Sequence, residues 1–202
     1  MMSNEQPAAT PPIDTRARNR NRAMLVAIFV LFFGSMLVAG LLRFSGWQPE
    51  GRKNHGELLQ PPTDLRAVTP VLMDGTPYPW NPGERTWRIV LAPPTQCGAE
   101  CARLGHDLDT VWQLFGKDAD RVHVLWICAE ASCMPPTEVV LPRTLRQVRP
   151  DPQWRASLPG VDDPAGVPVY VIDPNGFVVL RYAPGFDAGG LRADLAKLLK
   201  LI

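Results

Sequence analysis

Two close pairs of thiols are the residues best placed to do chemistry. Cys97 and Cys101 bracket Gly98-Ala99-Glu100, and Cys128 and Cys133 follow some thirty residues later; these are the 4 cysteines of the 202-residue chain. At i and i+4, the first pair shares a helix face if the first turn takes in both residues. Helix geometry then puts their Cα atoms roughly 6 Å apart, inside the range a disulfide bridges. A thiol at a helix N-terminus has its thiolate favoured by the helix dipole, and Glu100 opposes this with a negative charge. Cys97 and Cys101 can therefore form a dithiol/disulfide couple, serve as two soft ligands for Cu(I), or simply staple the fold. Cys128 and Cys133 are candidates for a second disulfide. Local closure of both pairs is favoured over a cross-pair such as Cys101–Cys128, which would be a relay intermediate. A zinc site of all four thiols also fits the spacing. No Ser/His/Asp set, phosphate loop or paired-carboxylate pattern is visible.

The histidines do not complete a metal site. His106 lies five residues past Cys101, about 140° around a helix at roughly 100° per residue. His123 opens an apolar run whose far end carries Cys128, about 16 Å away at 3.3 Å per residue. His55 sits in a Gly- and Pro-containing stretch, and a solvated linker histidine describes it better than a ligand.

The elements that must carry the thiols are legible. Trp87 to Ala92 reads as a buried strand ending just before Cys97, and Leu104, Leu108, Val111, Trp112, Leu114 and Phe115 recur at helical spacing just after it. Gly116 marks the stop of that helix. Val122 to Ile127 is a second core strand running into Cys128. Leu141 to Val148 reads as a short helix and Asp151 to Gly160 as a loop or single turn. Val167–Ile172 and Phe177–Tyr182 are strands joined by the turn Asp173-Pro174-Asn175-Gly176. Leu191, Leu195, Leu198 and Leu199 share one face of a closing helix. Before the first core strand, Leu65–Arg88 reads as a hairpin around Asp74-Gly75, with a second turn at Asn81–Glu84. Trp112, Trp126 and Trp154 belong to the core or the site wall. The order fits an α/β, thioredoxin-like fold: a central mixed sheet flanked by helices, with an N-terminal β-hairpin extension. Its strand–helix–strand half is parallel and right-handed. Parallel strands bring their C-terminal ends to one edge, so Cys97 and Cys128 are expected at the same end of the sheet.

Upstream, Ala23 to Leu42 is twenty residues without a charge, enough to span a hydrocarbon core of roughly 30 Å. It exceeds the 7–15 residues usual for a signal peptide's apolar region, so it reads as an uncleaved transmembrane anchor helix. Arg16, Arg18, Arg20 and Arg22 precede it, which keeps the N-terminus in the cytoplasm. The expected organisation is a disordered cytoplasmic arm (1–22), the anchor (23–42), a periplasmic tether (43–64) and the thioredoxin-like domain (65–202). With a net charge of +1, nothing points to nucleic acid as a partner.

The single anchor, the Asp-Gly hairpin, Thr95-Gln96-Cys97-Gly98-Ala99-Glu100-Cys101 at a strand–helix junction, and Tyr170-Val171-Ile172-Asp173-Pro174-Asn175-Gly176 together resemble the SCO/SenC proteins over roughly Leu65–Leu201. Those are membrane-anchored, thioredoxin-fold copper chaperones of cytochrome c oxidase assembly. The resemblance implies a bacterial inner-membrane protein with its C-terminal domain in the periplasm. It also implies copper as a cofactor at Cys97 and Cys101, and an oxidase subunit or another copper chaperone as partner. The chain departs from the family twice. Gly98 stands where the family has proline, and Val161–Pro168 lacks the histidine that completes the family's copper site. Instead, Val167-Pro168 before a strand resembles the cis-proline of redox-active thioredoxins, which makes Pro168 a candidate third site residue beside Cys97 and Cys101. The departures favour thiol–disulfide exchange, with Cys97 attacking and Cys101 resolving, over copper delivery. A structural assembly factor whose cysteines only form disulfides is the third reading.

Overall fold

The five residues Trp87–Leu91 (β2) are all buried, Ile89 and Leu91 against one layer and Val90 against another. A strand with both faces covered has no room for polar alternation, which is why it reads as a continuous apolar run. It sits in the middle of the sheet. The computed structural model describes residues 15–45, 54–130 and 144–201. In it, β1 (Glu57–Asp64), β2, β3 (Val122–Ile127), β4 (Leu145–Val148), β5 (Val169–Ile172) and β6 (Phe177–Tyr182) form one six-stranded sheet in the order β1-β6-β5-β2-β3-β4. The pairs β2/β3 and β3/β4 are parallel, while β2/β5, β5/β6 and β6/β1 are antiparallel. This is the mixed sheet expected.

Two cores flank the sheet. On one side, α2 (Gly98–Gln113) and α4 (Ala188–Leu198) pack Leu104, Leu108, Val111, Leu191 and Leu195 against Ile89, Val124 and Val171. On the other, Leu65, Trp154 and Leu158 cover Val90, Leu125 and Tyr170. Trp154 lies on the short helix α3 (Pro152–Ala156), whose start is capped by the Asp151 carboxylate accepting from Gln153 N and Trp154 N. Trp126 and Trp154 are core residues, as expected, and half-buried Trp112 donates its indole N–H to Ala119 O at 2.9 Å.

Three elements around the sheet differ from the sequence reading. Leu145–Val148, expected within a short helix, is β4, because its backbone adds a parallel strand beside β3 and buries Val148; residues 141–143 lie outside the described ones. Glu57–Asp64, expected in the tether, is edge strand β1. Its two prolines are tolerated because an edge strand leaves some N–H groups unpaired anyway, and its register shifts between Leu58 and Thr63. The hairpin extension is reduced to a bridge between Val71 and Pro77 around Gly75, which adopts φ 91°.

Buried Arg88 on β2 is satisfied from several sides. Its Nη1 donates to the carbonyls of Thr86, Asp173 and Pro174, and its Nε to Tyr78 Oη at 3.2 Å. Tyr78 Oη in turn lies 2.6 Å from Nδ1 of His123, the β3 neighbour of Arg88. A second buried charge, Asp194 on α4, accepts the backbone N–H groups of His55 (2.7 Å) and Gly56 (3.1 Å), the Tyr182 hydroxyl (2.9 Å) and Lys197 Nζ (3.0 Å). Gly56 is needed at this clasp, since a Cβ there would lie 2.6 Å from the Tyr182 ring.

Considered by itself, the N-terminal unit contains among its described residues one helix, α1 (Thr15–Phe44), so residues 15–22, expected within a disordered arm, are helical, while residues 1–14 lie outside the described ones. Its stretch Arg18–Phe44 is long and apolar enough to cross a membrane and fits a single-pass anchor.

Candidate functional site

The Cys97–Cys101 pair is a disulfide, with Cα atoms 5.3 Å apart. Cys97 is the N-cap of α2 and offers no side-chain cap, because its sulfur is bonded to Cys101 one turn on. The two sulfurs differ in access: Cys101 is 2 % exposed inside the core, whereas Cys97 is only partly buried. The loop that delivers them leaves the buried end of β2 at Ala92. There, Arg155 from α3 donates to the Ala92 carbonyl through Nη1 and pairs with Asp162 through Nη2 at 2.7 Å.

Glu100, between the two cysteines, reaches away from the helix. Its Oε1 accepts the backbone N–H of Val167 at 2.8 Å, fastening the first turn of α2 to the segment that enters β5. Gly166 permits the approach: its φ is +139°, and a Cβ there would collide with the Glu100 carboxylate. A cleft of about 340 Å³ runs between these parts, lined by Pro94, Glu100, Arg155, Asp162, Gly166 and Val167.

Pro168 is buried next to this junction, but its peptide bond with Val167 is trans. Among the described residues the cis bond is Gln60–Pro61 instead. The cis-proline expectation at Pro168 is therefore corrected. An X–Pro bond keeps its ordinary trans preference there.

Cys128, at the end of β3, is also disulfide-bonded and 2 % exposed, and it belongs to the same core cluster as Cys97, Cys101 and Val167. The cysteine-bearing ends of the parallel strands β2 and β3 thus lie at the same end of the sheet. The expected partner, Cys133, lies outside the described residues.

The histidines are engaged or remote. His106 is exposed on α2. His55, expected as a solvated linker residue, is half-exposed but docked on Asp194 through its backbone and Nδ1. His123 bonds Tyr78, and burial together with the Arg146 and Arg88 charges pushes its pKa down to about 4. Among the described residues no group of three or more His, Cys, Asp or Glu converges as a metal would need. The residues at Cys97 and Cys101 do not fit a three-ligand copper centre: the sulfurs are bonded to each other, and residues 161–168 supply no histidine.

Sequence reasoning missed the Glu100–Val167 link, the Arg155 brace and the Asp194 clasp. The pairing of Asn-His-Gly with a lone Asp on the last helix leaves no periodic trace. Glu100 was visible only as a charge between two cysteines.

Comparison with known proteins agrees with this geometry. The yeast Sco1 structure with copper bound superposes with a TM-score of 0.52 at 15 % identity, covering 75 % of this chain and 96 % of that one. The Arabidopsis thaliana ScoI structure with copper bound gives a TM-score of 0.50 at 15 % identity, covering 67 % and 97 %. BsSco, a member of the Sco family of cytochrome c oxidase assembly proteins in which a disulfide switch was identified, gives 0.50 at 13 % identity, covering 77 % and 100 %. At these identities the likeness is one of fold, and the SCO-like resemblance of the sequence holds at that level. A search of curated protein sequences finds no match. The model of one protein family matches residues 87–202, more than half of the chain and every strand from β2 to β6. The chain belongs to that family, described as the transmembrane-like, thioredoxin-like C-terminal domain.

Proposed function

We propose that this chain is a membrane-tethered thiol–disulfide exchange protein of the bacterial periplasm, serving cytochrome oxidase assembly. The observation that carries the reading is the unequal exposure of a bridged pair at a helix N-terminus, Cys97 reachable and Cys101 buried. In such a pair the outer sulfur exchanges with partners and the inner one resolves. A partner thiolate attacks Cys97 Sγ, the Cys97–Cys101 bond breaks, and Cys101 leaves as a thiolate. The partner's second thiolate then attacks its own sulfur in the mixed disulfide and releases Cys97. Two electrons pass to the Cys97–Cys101 pair and the partner dithiol is oxidised to a disulfide; the reverse sequence reduces a partner disulfide and restores the Cys97–Cys101 bridge. The basic flank Arg16–Arg22 supports a cytoplasmic N-terminus and a periplasmic domain, where disulfides persist. The oxidase partner, a subunit or a copper chaperone, rests on the SCO resemblance.

The test is an equilibrium titration of the full chain in detergent against dithiol buffers, counting free thiols at Cys97 and Cys101. Exchange predicts a reversible couple with a potential near or above that of thioredoxin, about −270 mV. A bridge that stays closed below about −300 mV would instead be a structural staple. Anaerobic Cu(I) titration of the reduced chain adds the copper arm: tight stoichiometric binding lost in Cys97→Ser would replace exchange by copper delivery.

A further inference from the structure

Glu100 lies one residue before Cys101 and three after Cys97, so on α2 it is a helix-face neighbour of Cys97, with Cβ atoms about 5–6 Å apart. Its carboxylate is not free to swing into solvent. The Val167 N–H holds it at 2.8 Å, and the bare Gly166 backbone closes over it. Arg155, the cation among the cleft's lining residues, is already committed to Ala92 O and to Asp162, and Arg103, three residues on along α2, pairs with Asp107 at 3.1 Å. Asp163, on the same cleft, is paired with Arg181 at 2.7 Å. A fixed negative charge therefore stands in the first turn of the helix, where the dipole would otherwise favour a thiolate.

We infer that Glu100 is a positioning residue that sets the redox poise of the Cys97–Cys101 couple. Held by Val167, its charge disfavours the thiolates that reduction creates, and so keeps the bridge oxidised. The inference rests on the exchange reading above and adds to it the residue that biases the direction. The same hydrogen bond couples the redox turn to the entry of β5. Opening the bridge frees the first turn of α2 from its covalent staple, leaving the Glu100–Val167 bond to hold it to its neighbour. A partner dithiol that reduces this pair must supply two electrons against that bias, so the natural reductant is a strongly reducing dithiol protein.

Three forms of the full chain in detergent separate the outcomes: wild type, Glu100→Gln and Glu100→Ala. Glu100→Gln keeps an acceptor for Val167 and removes the charge. It is expected to shift the equilibrium with a dithiol buffer about tenfold toward the reduced form, roughly 30 mV for a two-electron couple. In a Cys101→Ser background, Glu100→Gln is also expected to move the pH profile of Cys97 alkylation to lower pH. Glu100→Ala should show the same shift in poise together with a lower melting temperature. If Glu100→Gln leaves both the potential and the alkylation profile at the wild-type values, Glu100 is only a fastening and the inference fails while exchange stands. If no dithiol opens the wild-type bridge, the exchange reading falls and the inference falls with it. Near-ultraviolet circular dichroism checks that each variant is folded.

Discussion

Tyr78 Oη and His123 Nδ1 lie 2.6 Å apart. Arg88 Nε donates to the same phenol oxygen at 3.2 Å, so the imidazole shares its partner with a buried cation. The imidazole is thereby kept neutral, its pKa pushed down to about 4 by burial and by the Arg146 and Arg88 charges. An unfolded histidine titrates near 6.5. The unfolded chain therefore binds a proton at His123 between about pH 6.5 and 4 that the folded chain does not. The stability this group contributes is full above about pH 6.5, falls as pH drops to about 4, and is flat below. His123→Gln should flatten a pH–stability curve of roughly 2 kcal/mol in that window, measured by denaturant titration.

Asp194 acts in a lower window. Burial pushes its pKa up, but the N–H groups of Gly56 and His55, the Lys197 ammonium and the Tyr182 hydroxyl outweigh it and hold it at about 2. A depressed carboxylate contributes stability above its unfolded pKa of about 3.9 and loses it as pH falls through the folded value. Asp194→Ala should cost about 3 kcal/mol at neutral pH by leaving four donors unmatched. It should also remove the acid-induced loss between about pH 4 and 2, read from melting temperatures.

The two halves of the bridge should behave unequally. In Cys101→Ser the remaining Cys97 thiol is reachable, and the variant should accumulate mixed disulfides and react readily with iodoacetamide. In Cys97→Ser the remaining Cys101 is 2 % exposed, and its alkylation should be slower by about tenfold or more, since access limits thiol reactivity. Equal rates would reverse the assignment of attacking and resolving sulfur.

Gly166→Ala combines two costs: a backbone at φ +139° that side chains disfavour, and a Cβ in the space of the Glu100 carboxylate. The expected loss is about 2–4 kcal/mol, seen as a lowered melting temperature. Shortening the neighbour in Gly166→Ala/Glu100→Ala should recover part of it, since contacting residues are coupled.

Much of this was readable in the chain itself. The apolar runs 87–92, 122–127 and 167–172 hold β2, β3 and β5, strands covered on both faces, and such runs announce themselves. The position of Cys97 between β2 and α2 follows from the change of period there. What escaped was set by contacts far apart in sequence. Leu145–Val148 is a strand only because β3 offers an edge, and Glu57–Asp64 only because β6 does. The Val167–Pro168 bond could not be assigned from a preceding valine and a following strand. The role of Glu100 depends on a backbone N–H that lies 67 residues away.

The clasp on Asp194 also has a mechanical meaning. Among the described residues that follow the apolar helix, His55 and Gly56 are the first gripped by the sheet-bearing unit. They sit just ahead of β1, the outermost strand, whose pairing with β6 is interrupted. A pull arriving from the N-terminal side would peel such a strand one rung at a time if nothing intervened. Asp194 takes that load first and passes it to α4, on the face of the sheet that α2 shares. Strand β1 is thus shielded from a pull on the chain ahead of His55 by a single carboxylate.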